Sequence, residues 1–169
     1  MDIFLLLLLI LLNGVLAMSE IAVVSSRKSR LQKLADDGSP GAKSALELSN
    51  EPSGFLSTVQ VGITTVGILS GAIGENALAE PLTHWLSSFS VLEPYARGFS
   101  LTLVVVGLTY FSVVVGELVP KRLGLLAPEA IAALIATPMN VLARATRPLV
   151  WLLSSSSSLL LQLVGARHR

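Results

Sequence analysis

Cysteine is absent from the 169 residues, which excludes disulfides, thiolate metal ligands and cysteine nucleophiles. Histidine is scarce: His84 and His168 stand without a ligand or catalytic partner at useful spacing, and both are expected to face solvent. Charge is low as well. Only 14% of the residues are Asp, Glu, Lys or Arg, against about a quarter in ordinary soluble domains. The two signs nearly cancel, at a net +1, so no bulk field draws nucleic acid and no nucleic-acid partner is expected. No nucleophile–base pair, phosphate-binding loop or metalloprotease motif occurs, which makes an enzyme the weakest class. What remains is apolar. Hydrophobic residues make up 52% of the chain and mean hydropathy is +0.72, the composition of one membrane domain.

Residues 3–24 form the first expected span, since about twenty apolar residues cross the hydrocarbon. A secretory signal is the competing reading. Asp2 stands where a basic n-region belongs, and the apolar run continues past Met18 to Val24, so a retained transmembrane helix is expected. Asn13 in mid-helix predicts an interhelical hydrogen bond. Arg27, Lys28, Arg30 and Lys33 follow at once. This basic cluster marks the cytoplasmic side and puts the N-terminus outside. Residues 27–50 read as a cytoplasmic helical hairpin, turned at Gly38-Ser39-Pro40-Gly41, with its charges on a solvated face and against lipid headgroups.

The second span is expected over 55–79. It carries Ser57, Thr58, Gln60, Thr64, Thr65, Ser70 and Asn76, and glycines at 62, 67, 71 and 74. Small residues allow close helix packing; alternatively they allow local unwinding that bares carbonyls. Glu80-Pro81 is expected to end this helix, and 80–97 to form an outer loop with Trp85 and Tyr95 at the lipid boundary, with His84 to Phe89 as a candidate short interfacial helix. One basic residue, Arg97, lies there, against five between Arg27 and Lys43.

The third span, 99–119, carries one carboxylate near its end, Glu117. Pro120 lacks the N–H that the Gly116 carbonyl would use. A carboxylate beside an unpaired carbonyl in an apolar segment suits a hard cation, because intramembrane acids are costly. Glu117 could equally pair with Lys121 one turn on. Residues 128–165 are expected as juxtamembrane helices lying under the inner leaflet, broken at Thr137-Pro138. A fourth crossing over 149–164 would carry Arg167-His168-Arg169 outside, against the charge rule.

Three spans thus offer oxygen donors only. The first has Ser19 and Ser25, the second Ser70 and carbonyls near Gly67, the third Glu117 and the Gly116 carbonyl. Such a set suits Mg²⁺, Ca²⁺ or Na⁺, and a single carboxylate implies the modest affinity a carrier needs. Two conditions attach. A lone serine commonly bonds back to its own helix. Ser19 and Ser25 also lie six residues apart, so the first helix must unwind or end between them if both are to hold one ion.

The segments Ser19 to Leu31, Val61 to Thr64 with Gly67 to Glu75, and Gly116 to Lys121 resemble the N-terminal membrane domain of the cyclin M/CorC magnesium transporters. The likeness extends over 138–165. It implies an all-α membrane protein: a homodimer with three transmembrane helices per subunit, the cytoplasmic hairpin and a belt of juxtamembrane helices, in contact with membrane lipid in the inner (plasma) membrane, with a cytoplasmic C-terminus. It implies Mg²⁺ export with a sodium gradient as the expected drive, so Mg²⁺ as cargo and Na⁺ as the second ion. By motif position it assigns the ion to Ser19, Ser25, Ser70 and Glu117, with backbone oxygens at Gly67 and Gly116, and Asn76 in the polar cavity. The CBS pair and C-terminal domain of full-length members have no counterpart in these residues; ATP would act only through them. The competing function is a Mg²⁺-sensing scaffold that moves no ion.

Overall fold

A computed structural model describes residues 1–163, and within them all regular structure is helical. Helix α1 (Asp2–Ser25) is followed by α2 (Lys28–Asp36) and α3 (Pro40–Asn50). Helix α4 (Pro52–Gly74) runs through a π-turn, Glu75–Ala79, into α5 (Glu80–Ser87). After a 3₁₀ turn, Glu93–Tyr95, α6 (Ala96–Val113) runs through a second π-turn, Val114–Leu118, into α7 (Val119–Leu126). Helices α8 (Pro128–Ala145) and α9 (Arg147–Leu163) complete the described chain. Three of these paths, Asp2–Ser25, Pro52–Ser87 and Glu93–Leu126, are long and apolar enough to cross a membrane. The protein is an integral membrane protein.

Local chemistry sets the boundaries. Pro52 and Pro128 open α4 and α8, where the missing N–H costs nothing. Gly38, at φ 95°, makes the left-handed turn between α2 and α3. Ser39 then caps α3, its Oγ accepting from the Ala42 N–H at 3.3 Å.

The packed core sits at one end of the spans. Val23 of α1, Leu31 of α2, Ala45 and Leu48 of α3, Phe55 and Val59 of α4, and Ala132 and Ala136 of α8 bury one another. The opposite half of α1 shows the reverse. Ile3, Phe4, Leu7, Leu8 and Leu11 are exposed, as side chains bathed in lipid must be.

Three prolines do not end helices as the sequence suggests. The second span continues past Glu80-Pro81 to Ser87, and the third past Pro120 to Leu126. In both, the proline stands two residues after a π-turn. There the Glu80 N–H bonds to the Glu75 carbonyl, and the Val119 N–H to the Val114 carbonyl. This i→i+5 register shift relieves the clash with the carbonyl four residues back that a proline meets in an α-helix. Residues 80–87 are therefore helix, not loop. Pro138 lies inside α8 without breaking it. Its side chain is on the exposed face, while Ala132, Ile135, Ala136 and Met139 anchor the other, so packing outweighs the lost bond. Helix α9 has no buried residue. The end of the expected range 128–165, and Arg167-His168-Arg169, lie outside the described residues.

Candidate cation pathway

A cavity of ≈390 Å³ lies between α4 and α6, closed on a third side by Ile10 and Asn13 of α1. Helical spacing selects its walls. On α4, Ile63, Val66, Gly67, Ser70 and Gly71 recur every three to four residues and so share a face. On α6, Leu108, Thr109 and Ser112 do the same. The wall is mostly aliphatic, with hydroxyls and one amide, and Glu75 lies on its lining as the one carboxylate. A Cβ added at Gly67 or Gly71 would meet nothing within 4 Å. These two glycines therefore do not pack helices together; they widen the space. Gly74 does pack, since a Cβ there would come within 2.7 Å of Leu108 Cδ2.

Asn13 links α1 to the third span. Its Nδ2 donates to the Gly116 carbonyl at 2.9 Å, which is the interhelical bond expected and which takes up the oxygen that Pro120 frees. Its Oδ1 is buried with no hydrogen-bond partner among the described residues. An unpaired buried acceptor on a cavity wall is costly unless a donor or cation meets it. The contact is close because Gly116 has no side chain: a Cβ there would sit 3.3 Å from the Ile10 carbonyl oxygen.

Of the six sequence-assigned positions, Gly67 and Ser70 line this cavity, and Gly116 adjoins it through Asn13. Ser19, Ser25 and Glu117 are not on its lining. Ser19 is fully buried, and its Oγ donates to its own helix at Leu16 O, 2.6 Å away. Helix α1 runs unbroken through Ser25, so Ser19 and Ser25 face directions about 120° apart. Glu117 Oε1 accepts from Lys121 Nζ at 2.8 Å, and the same Nζ lies 3.9 Å from Glu20 Oε2. Lys121 thus stands between two carboxylates from different spans. Asn76 lies in a second, outer cavity.

Glu75, Thr109 and Ser112 are lining residues that sequence reading did not select. Both Gly74-Glu75 and Gly116-Glu117 precede a proline, but Glu75 stands six residues before Pro81 and Glu117 three before Pro120, so spacing gave Glu75 no signal. Both acids sit in π-turns, which often mark functional sites. Among the described residues, no three His, Cys, Asp or Glu come together to hold a metal. Any ion here would be held by neutral oxygens with a carboxylate at the margin.

Crossing helices that enclose a mostly aliphatic cavity with a few hydroxyls, one amide and a carboxylate on its lining define a polytopic membrane protein with an internal chamber. The family described as the cyclin M transmembrane N-terminal domain matches residues 4–169, and the chain belongs to it. The UPF0053 protein sll0260 of Synechocystis is 47% identical over 98% of this chain and 37% of its own length. The polyamine export proteins of Salmonella typhimurium and Escherichia coli are 34% and 33% identical, over 93% and 96% of this chain and 35% and 36% of theirs. The chain spans just over a third of the length of these curated relatives.

Proposed function

We propose that the chain forms the membrane pathway of a cation exporter, with Mg²⁺ as cargo and a sodium gradient as drive. The observation that carries this reading is the Asn13 side chain on the lining of a cavity inside the spans, which Ser70 of α4 also lines: its Nδ2 donates to the Gly116 carbonyl, and its buried Oδ1 has no partner among the described residues. Neutral oxygens with few charges suit a hard cation that must bind and leave. Glu117 and Glu20, already gathered around an ammonium, are the acids such a cation would meet next. Alternating access would then open the cavity first to one face and then to the other.

The basic residues support the orientation. Arg27 and Lys28 follow α1, and Arg30 reaches Glu129 of α8, so this end carries the hairpin and the juxtamembrane helix. We place it in the cytoplasm, with the N-terminus outside and the chain in the plasma membrane. A homodimer would cover part of the apolar surface left bare on α6, where Phe99, Leu103 and Val106 are exposed.

A second reading is favoured by the aliphatic wall. A polyamine has methylenes between ammonium groups, and an apolar chamber with a carboxylate at its mouth suits that shape without stripping water from a divalent ion. Two relatives carry polyamine export in their names.

Flux from proteoliposomes separates these readings. Mg²⁺ efflux that depends on Na⁺ supports the first, and spermidine efflux without Mg²⁺ efflux supports the second. A chain that moves neither is the sensor or scaffold. Binding is read independently: Mg²⁺ should raise the melting temperature of the wild type by mass action, and Glu117→Ala should abolish that rise while remaining folded. Equal shifts in both would remove Glu117 from the site.

A further inference from the structure

Beyond the central cavity lies a second one, of ≈340 Å³, lined by Asn76, Glu80, Thr83, His84 and Arg97 among others. Two residues line both cavities, Glu75 and Leu101. Glu75 Oε1 lies 3.8 Å from Arg97 Nη2. The carboxylate at the junction is therefore held by a guanidinium that belongs to the outer cavity. Beside it, Gly74 packs against Leu108 and narrows the remaining gap between the second and third spans.

The geometry points to the Glu75–Arg97 pair as an exchangeable latch between the two cavities, at which a cation from the path replaces the guanidinium on Glu75. Three features of the pair carry this. The side chains are 53% and 87% exposed, so the pair is weak and cheap to open. Arg97 sits in the first turn of α6, immediately after the 3₁₀ turn Glu93–Tyr95, where a small rotation of the chain withdraws it. Glu75 opens a π-turn and lines both chambers. The outer cavity adds a second acid, Glu80, and the Asn76 amide, so a cation leaving Glu75 meets further oxygen. The ligand class is one that competes with a guanidinium for a carboxylate: a divalent metal ion or an alkylammonium. A latch of this kind is placed opposite Lys121, which holds Glu117 and Glu20 at the end where the hairpin packs. The role in transport rests on the carrier reading; the latch itself does not.

The absence of cysteine makes the test direct. In proteoliposomes of the Ser112→Cys chain, a membrane-impermeant thiol reagent is applied to each face in turn. Ser112 lines the central cavity and Arg97 the outer one, so if the pair is the latch, labelling from the Arg97 face passes it. Arg97→Gln and Glu75→Gln should each speed that labelling about two- to fivefold, the range a surface ion pair can hold shut. The exchanged pair, Glu75→Arg with Arg97→Glu, should return it to the slow rate, and labelling from the other face should not change. Mg²⁺ or spermidine on the Arg97 face should speed labelling of the unaltered pair and leave Glu75→Gln unmoved. Rates indifferent to both single variants, an exchanged pair as fast as either, or no response to either cation would each overturn the latch. Labelling as expected in a chain that moves no cation would retire the carrier and keep the latch.

Discussion

Lys121 sets the local electrostatics where the end of the third span packs against the first. Its ammonium lies 2.8 Å from Glu117 and 3.9 Å from Glu20, so one cation bridges carboxylates of two spans. Its removal should bring two anions from neighbouring spans face to face. We expect Lys121→Gln to lose only about 0.5–1 kcal/mol, because all three side chains are partly exposed rather than packed away. The sharper readout is rescue. Mg²⁺ should raise the melting temperature of Lys121→Gln more than that of the wild type, since the ion then fills a place the ammonium has vacated. A smaller shift in the variant would mean that the carboxylates do not accept a metal. Asn13 makes the complementary case with a neutral group. Asn13→Ala removes the bond to the Gly116 carbonyl and should cost about 0.6 kcal/mol, the usual worth of an interhelical bond in a membrane.

At the scale of elements, glycines with identical helical backbones have opposite jobs. A Cβ on Gly124 would collide with Ile21 Cγ2 and lie 3.0 Å from the Met18 carbonyl oxygen. Gly124→Ala should therefore push α7 off α1 and cost about 1–3 kcal/mol by overpacking. Gly67→Ala meets open space and should hold or gain about 0.5–1 kcal/mol through helix propensity while narrowing the cavity and slowing flux. Thermal unfolding of the two variants in detergent checks the pair; a loss at Gly67 like that at Gly124 would show that the face is packed. Both glycines stood in the sequence as small residues, and nothing local told them apart. The same limit explains the rest. Apolar runs revealed the three spans, and Gly38 with Pro40 revealed the hairpin turn, because hydrophobic length and turn chemistry are local properties. The i,i+4 pair of Glu117 and Lys121 was also legible from spacing. The π-turns were not. A proline reads as a helix end unless one knows that the ladder shifts register two residues before it, and that shift depends on neighbouring helices. Glu75 went unselected because only the junction of two cavities distinguishes it from any acid at a helix end.

Across the whole molecule, one acid adds a polar tie between the first span and α8 beside the packed core that already joins them. Glu129, in the first turn of α8, accepts from the Arg27 N–H at 3.2 Å through Oε1, and its Oε2 lies 3.9 Å from Arg30. It therefore bridges the bend between α1 and α2 and the start of α8, at the edge of the packed core. Burial pushes its carboxyl up, but the N–H groups of Arg27 and of Glu129 itself, with the charges of Arg30 and Arg27, outweigh burial and hold it below the ordinary 4.5. The sign follows from linkage. The folded protein binds this proton less readily than the unfolded chain, so the stabilisation is complete above the ordinary value of 4.5 and is lost as pH falls from there through the lowered folded value. Glu129→Gln keeps the shape and removes the charge. Its melting temperature should lie below the wild type at about pH 7 and converge with it as pH falls below the lowered folded value, where both carry a neutral group. Arg30→Gln should narrow the gap only in part, because the backbone N–H bonds remain. A gap that stays constant as the pH falls would mean that the carboxylate's charge does not fasten the inner helices to the first span.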